Sequence, residues 1–398
     1  MSLHVLVIGA GPSGTRCALR SAERGARVTL CGAEAALPYD RVALSSLLAG
    51  EKTLPDLIPH DHAALRAQGV AFRPATPIKA LDRVAREAVT ARGERIAYDR
   101  VVIATGSRAI RLAVPGADLP GVLTYRTLDD VRAMLRAARA GGAAVVVGGG
   151  LLGLEAAAGL ARRGMKVTVL HPVDWPMERQ LDAGAGGFLA RRMGQRGIRF
   201  AMPAQLAAIV GEDRVSGVVL ADGARIAADT VVMAVGIRPD TALAVASGLA
   251  VGRGIKADAS LRSSDPDILA IGECAEVDGR TIGLVAPALA QAEIAAATLA
   301  GDLVHYAPRA ESAALKVSGT AVWSAGEIEG EGEGVTLRDE EEDRYRRLFL
   351  REDRLVGAVL YGDVSDSGFY LNLIASRRTV GRQAAALALG PAFLPELA

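Results

Sequence analysis

Six glycines in this 398-residue chain stand where backbone could close on phosphate groups: Gly9, Gly11 and Gly14, then Gly148, Gly150 and Gly153. Each set follows a short apolar strand, VLVI before the first and VVV before the second, and opens an Ala/Leu-rich segment. In a GxGxxG turn the first glycine makes the tight bend and the second lets backbone approach a pyrophosphate. The third lets the helix pack against the strand, with its N-terminal dipole aimed at the anion. Pro12 and Ser13 lie inside the first turn, Leu151 and Leu152 inside the second. A lone turn of this kind is weak evidence, because glycines often join strands to helices. Here every glycine recurs after 139 positions, and the register runs on through Gly25 and Gly164 to Val28-Thr29-Leu30 and Val167-Thr168-Val169. The chain is expected to bind two dinucleotides.

The elements that must position these turns are then strand, glycine turn, helix, glycine, second strand, written twice. An acid about 20 residues on normally bonds the adenosine ribose. After the first turn Glu34 is the candidate, slightly later than is usual. After the second, His171 occupies that place; it does not repel a 2′-phosphate, yet no arginine follows at once to clamp one, so NADH and NADPH both remain open. Three further strands run into turns: YDRVVIATGSR with Ala104-Thr105-Gly106, DTVVMAVGIRPD with Val235 and Gly236, and DILAIGECA with Gly272 and Glu273.

Composition bounds the class. Lys plus Arg number 46 against 45 Asp plus Glu, so no charge surplus directs the chain to nucleic acid or an anionic membrane. The first apolar run is too short to span a bilayer and leads into Gly and Pro, which suggests a cytoplasmic protein with a core strand there. Cys17, Cys31 and Cys274 are widely spaced, without a CxxC pair, and no histidine spacing suits a metal. No metal site is expected.

In this order the five motifs resemble the FAD-dependent pyridine nucleotide-disulfide oxidoreductases and their relatives. The resemblance implies an α/β fold with two Rossmann-like domains, FAD on the first turn and NAD(P)H on the second. It also implies an FAD domain split into 1–110 and 238–308 by an NAD(P)H domain at 111–237. By the same resemblance Ala104-Thr105-Gly106 lies near FAD, and Glu273 stands where the family usually has an Asp on the ribityl chain. Gly236 belongs to the NAD(P)H cleft, and Glu155 is the acid close to the nicotinamide and flavin N5. Ile78, Val235 and Pro287 complete the cofactor-binding candidates.

Disulfide reductases of this family carry a redox pair after the first ribose acid, and peroxidase branches keep one cysteine there. Residues 37–51 read LPYDRVALSSLLAGE, without a thiol. Electrons must therefore leave the flavin directly. Arg41 and Ser45 are expected to line the flavin, with a surface ion pair from Arg41 to Asp40 or Glu51 as the plainer option. PYDRVALSSLLAGE, GGGLLGLEAA, MERQLD and SSDPDILAIGECAE resemble the flavoprotein section of assimilatory NAD(P)H nitrite reductases, together with the flavoprotein subunits serving nitrate reductases; rubredoxin reductases share a related tail.

No cysteine follows Cys274, so an iron–sulfur cluster or sirohaem domain is not expected, and the chain reads as a separate reductase component. Its expected acceptor is a redox metalloprotein: nitrate or nitrite reductase, with rubredoxin or ferredoxin as the alternative. An NADH oxidase and a redox-sensing FAD/NAD-binding protein are further readings, and a homodimer is compatible with all of them. Residues 309–398 alternate apolar and polar residues, as expected of a small α+β domain with an antiparallel sheet. The acidic runs 327–334 and 339–343 are expected at hairpin tips, as solvated turns or as a docking patch for a redox partner. The apolar tail could pack on this domain or on a partner.

Overall fold

The computed structural model describes residues 2–307, 312–317, 319–328 and 334–394. The chain forms two compact units. The first comprises Met1–Ala109, Arg126–Leu128 and Ile237–Pro308, and the second Ile110–Tyr125, Asp129–Gly236 and Arg309–Ala398.

The first unit is built on five parallel strands in the order Ile268–Ala270, Arg100–Ile103, His4–Ile8, Arg27–Cys31 and Val70–Arg73. Successive strand residues feed opposite faces, as a two-residue repeat requires. Val5, Val7, Leu30 and Val102 enter one core, while Leu6, Ile8, Cys31, Val101 and Ile103 enter the other. With both faces covered, the strands read as unbroken apolar runs rather than alternating ones. On the first face, helix Pro12–Glu23 packs against helix Val285–Leu299. Their contact is made by small residues: Cys17, Ala18, Ala292, Ala295 and Ala296 are all fully buried.

The second unit repeats this plan in its first part. Its parallel sheet runs Arg199–Ala201, Lys166–Leu170, Ala143–Val147, Thr230–Met233, Val122–Thr124. Strand Ala143–Val147, helix Leu151–Arg162 and strand Lys166–Leu170 lie 139 residues beyond His4–Ile8, Pro12–Glu23 and Arg27–Cys31, end for end. The repeat read from the glycines is thus a repeat of structure.

The C-terminal part of this unit is a five-stranded antiparallel sheet, Ser312–Val317, Thr320–Gly326, Arg354–Tyr361, Arg344–Arg351, Gly334–Asp339, covered by helix Ser367–Ser376. The tail as far as Leu394 packs into the same core, through Leu387, Ala388 and Leu394. Buried Arg346 ties the tail down: it donates to Tyr370 Oη (2.6 Å) and to the Ala388 carbonyl (3.0 Å) and pairs with Asp366 (2.9 Å). The acidic run 339–343 does lie at a hairpin turn, with Glu340, Glu341 and Glu342 exposed. Glu340 pairs with Arg191 at 3.2 Å and Asp343 with Arg192 at 3.8 Å. The other acidic run, 327–334, falls mostly outside the described residues.

Helix Ala183–Gly194 carries this attachment. Its N-cap Asp182 accepts from Ala185 N (3.2 Å) and from Tyr345 Oη (2.5 Å), while Phe188 packs its ring against Tyr345 and Tyr361. Burial, then the Asp182 carboxylate, push the Tyr345 phenol above its ordinary pKa, so it stays a donor. Asp182→Ala removes both a helix cap and a phenol's acceptor. It is expected to cost about 2 kcal/mol in urea unfolding; a loss under about 0.5 kcal/mol would mean that the contact carries no stability.

Candidate functional site

The first turn shows why each glycine is there. Gly9 has φ +114°, and a Cβ built on it would overlap the Ala104 carbonyl; one on Gly14 would overlap the Gly9 carbonyl. These two positions are closed by the protein itself. Gly11 is different: φ is −75°, and a Cβ there would meet nothing within 4 Å. The space it leaves is free for a ligand. Gly11 also caps helix Pro12–Glu23 without a side-chain hydrogen bond, so the leading N–H groups are left for an anion.

Around this turn the fold gathers most of the first-set candidates. Gly272 (φ +76°) comes against Ser13, and its N–H donates to Oε1 of fully buried Gln291 at 2.8 Å. Glu273 accepts from Ser107 Oγ (2.7 Å) and forms an ion pair with Arg126. Thr105 Oγ1 donates to the Asp240 carbonyl (2.7 Å), next to Gly106. Glu34 takes Arg41 on Oε1 (2.6 Å) and Tyr39 Oη on Oε2 (2.8 Å). Arg41 also donates to the Arg126 carbonyl at 2.7 Å. Its side-chain partner is therefore Glu34, the ribose acid of the sequence reading, and its link to the Arg126–Glu273 pair goes through the Arg126 backbone carbonyl.

Arg126 and Gln291 were missed by sequence reasoning. Arg126 belongs to a three-residue return of the chain to the first unit, and no spacing rule marks it. Gln291 is one of three polar residues, with Glu293 and Thr298, in a largely apolar helix, and that was the available signal. Ser45 donates to the Val42 carbonyl (3.3 Å) in the loop before helix Leu44–Ala49. Ile78 follows Thr76, whose N–H reaches the Gly32 carbonyl (2.8 Å) at the end of a central strand. Pro287 lies in the first turn of helix Val285–Leu299.

The second turn copies the first. Gly148 has φ +114° and would collide with the Ala234 carbonyl; Gly153 would collide with the Gly148 carbonyl; Gly150, at φ −76°, faces open space. Helix Leu151–Arg162 again begins without a side-chain cap. Leu151 is half-buried, Leu152 exposed, and Glu155 half-buried on the same helix. Val235 packs on the core under the turn, and Gly236 (φ +114°) lies exposed after it. His171 is buried: Gly149 N–H donates to Nδ1 at 3.1 Å, and Nε2 lies 3.0 Å from Glu178 Oε2, at an ion-pair distance but outside hydrogen-bond geometry.

Both cradles suit a pyrophosphate, and neither has a thiol to work with. All three cysteines are buried free thiols, with burial pushing Cys17 to about 12 and Cys31 to about 11 and raising Cys274 as well. A nucleophilic thiolate is not available at these positions. Among the described residues, no helix is long and apolar enough to cross a membrane.

Comparison with known proteins agrees with this layout. A model of the pyridine nucleotide-disulphide oxidoreductase family matches residues 3–292, and one of the rubredoxin NAD+ reductase C-terminal domain matches 312–378. The chain is 38% identical to a nitrite reductase [NAD(P)H] of Bacillus subtilis, over 93% of this chain and 47% of that protein. It is 34% identical to an assimilatory nitrate reductase electron transfer subunit of the same organism, over 95% and 50%. The chain thus spans about half the length of these curated relatives. A crystal structure of a ferredoxin reductase from Rhodopseudomonas palustris superposes with a TM-score of 0.89 at 30% identity, covering 99% of this chain and 100% of that one.

Proposed function

Because the chain belongs to the pyridine nucleotide-disulphide oxidoreductase family, we propose that it is the reductase component of an assimilatory nitrate or nitrite reductase. It is an NAD(P)H oxidoreductase that uses FAD and passes electrons to a redox partner. What supports the assignment of cofactors is the duplicated cradle: at Gly11 and Gly150, each at the start of a helix without a side-chain cap, the missing side chain leaves open space that a pyrophosphate could use.

The chemistry that FAD would supply when bound is the acceptance of a hydride and the release of electrons one at a time. The protein's own part is positioning and electrostatics. On the FAD side, the uncapped helix start at Gly11 holds the pyrophosphate and Glu34 accepts from the adenosine ribose. Glu273, oriented by Ser107 and Arg126, accepts from the ribityl chain, and Arg41 and Ser45 border the ring. On the nicotinamide side, Gly150, Leu152 and Gly153 hold the pyrophosphate and Glu155 orients the carboxamide. With no thiol available, no covalent intermediate on sulfur forms.

Nitrate and nitrite systems are favoured as acceptors by the two Bacillus relatives. A ferredoxin reductase is the second reading, favoured by a solved structure that matches this chain along its whole length. The deciding experiment reduces the protein anaerobically with NADH and follows flavin reoxidation. Reoxidation by an assimilatory nitrate or nitrite reductase subunit is expected to be at least tenfold faster than by ferredoxin, rubredoxin or dissolved oxygen. Faster reoxidation by ferredoxin would establish the second reading, and rapid turnover with oxygen would make the protein an oxidase.

A further inference from the structure

The two cradles differ at one point, the ribose acid. The 139-residue offset carries Glu34 onto Val173, an apolar side chain, and Gly32 onto His171. A carboxylate nevertheless reaches this place by another route. The loop after His171 turns back on itself at Met177 (φ +59°), whose N–H donates to the Gly149 carbonyl at 3.0 Å. That bond lays Glu178 against the imidazole, Oε2 to Nε2 at 3.0 Å. The ring also lies close against Gly149, where a side chain would come within 2.8 Å of Cγ.

The imidazole is fixed from its other nitrogen as well: Nδ1 accepts the Gly149 N–H, which leaves Nε2 as the nitrogen that faces Glu178. Glu178 has 32% of its side chain exposed beside the turn.

We propose that Glu178 reads the ribose of the nicotinamide nucleotide, accepting from its hydroxyls and repelling a 2′-phosphate, and so makes the protein selective for NADH. His171 is the positioning residue behind it. The inference rests on the assignment of NAD(P)H to the second turn. Asp174 and Arg179, both exposed on the same loop, are the charged neighbours that could act instead.

The test uses the FAD-loaded protein, with two readouts: rapid-mixing rates of flavin reduction by NADH and NADPH, and calorimetric affinities for ADP-ribose and its 2′-phosphate. The parent protein should prefer NADH and ADP-ribose by at least tenfold. Glu178→Gln should lower both preferences at least tenfold, through KM rather than kcat. Glu178→Asp should restore most of the preference, and Asp174→Asn should leave it unchanged. If Glu178→Gln does not fold, His171→Asn should move both preferences in the same direction by a smaller factor. Unchanged preferences in Glu178→Gln, or a change confined to Asp174→Asn, would overturn the role of Glu178. Failure of the parent protein to bind either form of ADP-ribose would instead overturn the nucleotide assignment of the turn.

Discussion

Gly150→Val is expected to yield a folded, yellow, FAD-containing protein whose kcat/KM for NADH is lower by roughly a hundredfold, about 2.7 kcal/mol. Backbone strain is not the cause, since φ at Gly150 is −76° and no protein atom lies within 4 Å of an added Cβ. The fold should lose only about 1 kcal/mol, from a poorer helix N-cap. The isopropyl group would instead occupy the space where the second pyrophosphate meets the helix start. Stopped-flow reduction, together with flavin content and thermal unfolding, checks all three statements. Reduction by NADH at the parent rate would show that the second turn holds no nucleotide phosphate.

Gly148→Ala, two positions earlier, should behave in the opposite way: a severe loss of stability caused within the protein. Its φ of +114° disfavours an alanine, and the new Cβ would overlap the Ala234 carbonyl, just past the end of the neighbouring strand. Strain of this kind costs about 1–3 kcal/mol, and forcing apart two central strands adds a similar amount. Together about 4 kcal/mol is expected, a fall of about 10 °C in Tm. A Tm within about 2 °C of the parent would contradict the backbone conformation described at this turn. The two substitutions thus separate what a glycine does for the fold from what it does for a ligand.

Sequence alone carried the reading a long way where the physics is local. The tight bend, the helix start and the strand period are set by neighbouring residues, so the duplicated strand–turn–helix–strand segment was legible end for end. The antiparallel C-terminal sheet was legible for the same reason. Where contacts depend on distant segments, the residues gave little sign. Arg126 lies 147 positions from Glu273, and only the return of residues 126–128 to the first unit brings the pair together. Glu178 stands seven residues beyond His171, and a positive φ at Met177 decides that it folds back. The 339–343 run is exposed at a hairpin turn as expected, but its partners, Arg191 and Arg192, sit on a helix about 150 residues earlier and nothing local announced them.

One short segment of the second unit joins two of these features. Met177 hydrogen-bonds to Gly149 at the glycine turn, and Asp182, five residues on, holds Tyr345 of the C-terminal sheet. Whatever work is done in tightening residues 177–182 around a ligand is done at both ends of the segment. By linkage, a ligand that binds better when the sheet is docked must in turn make the sheet harder to detach, and by the same factor. If nucleotide binding at the turn tightens residues 177–182, the C-terminal sheet would report that occupancy through its resistance to detachment.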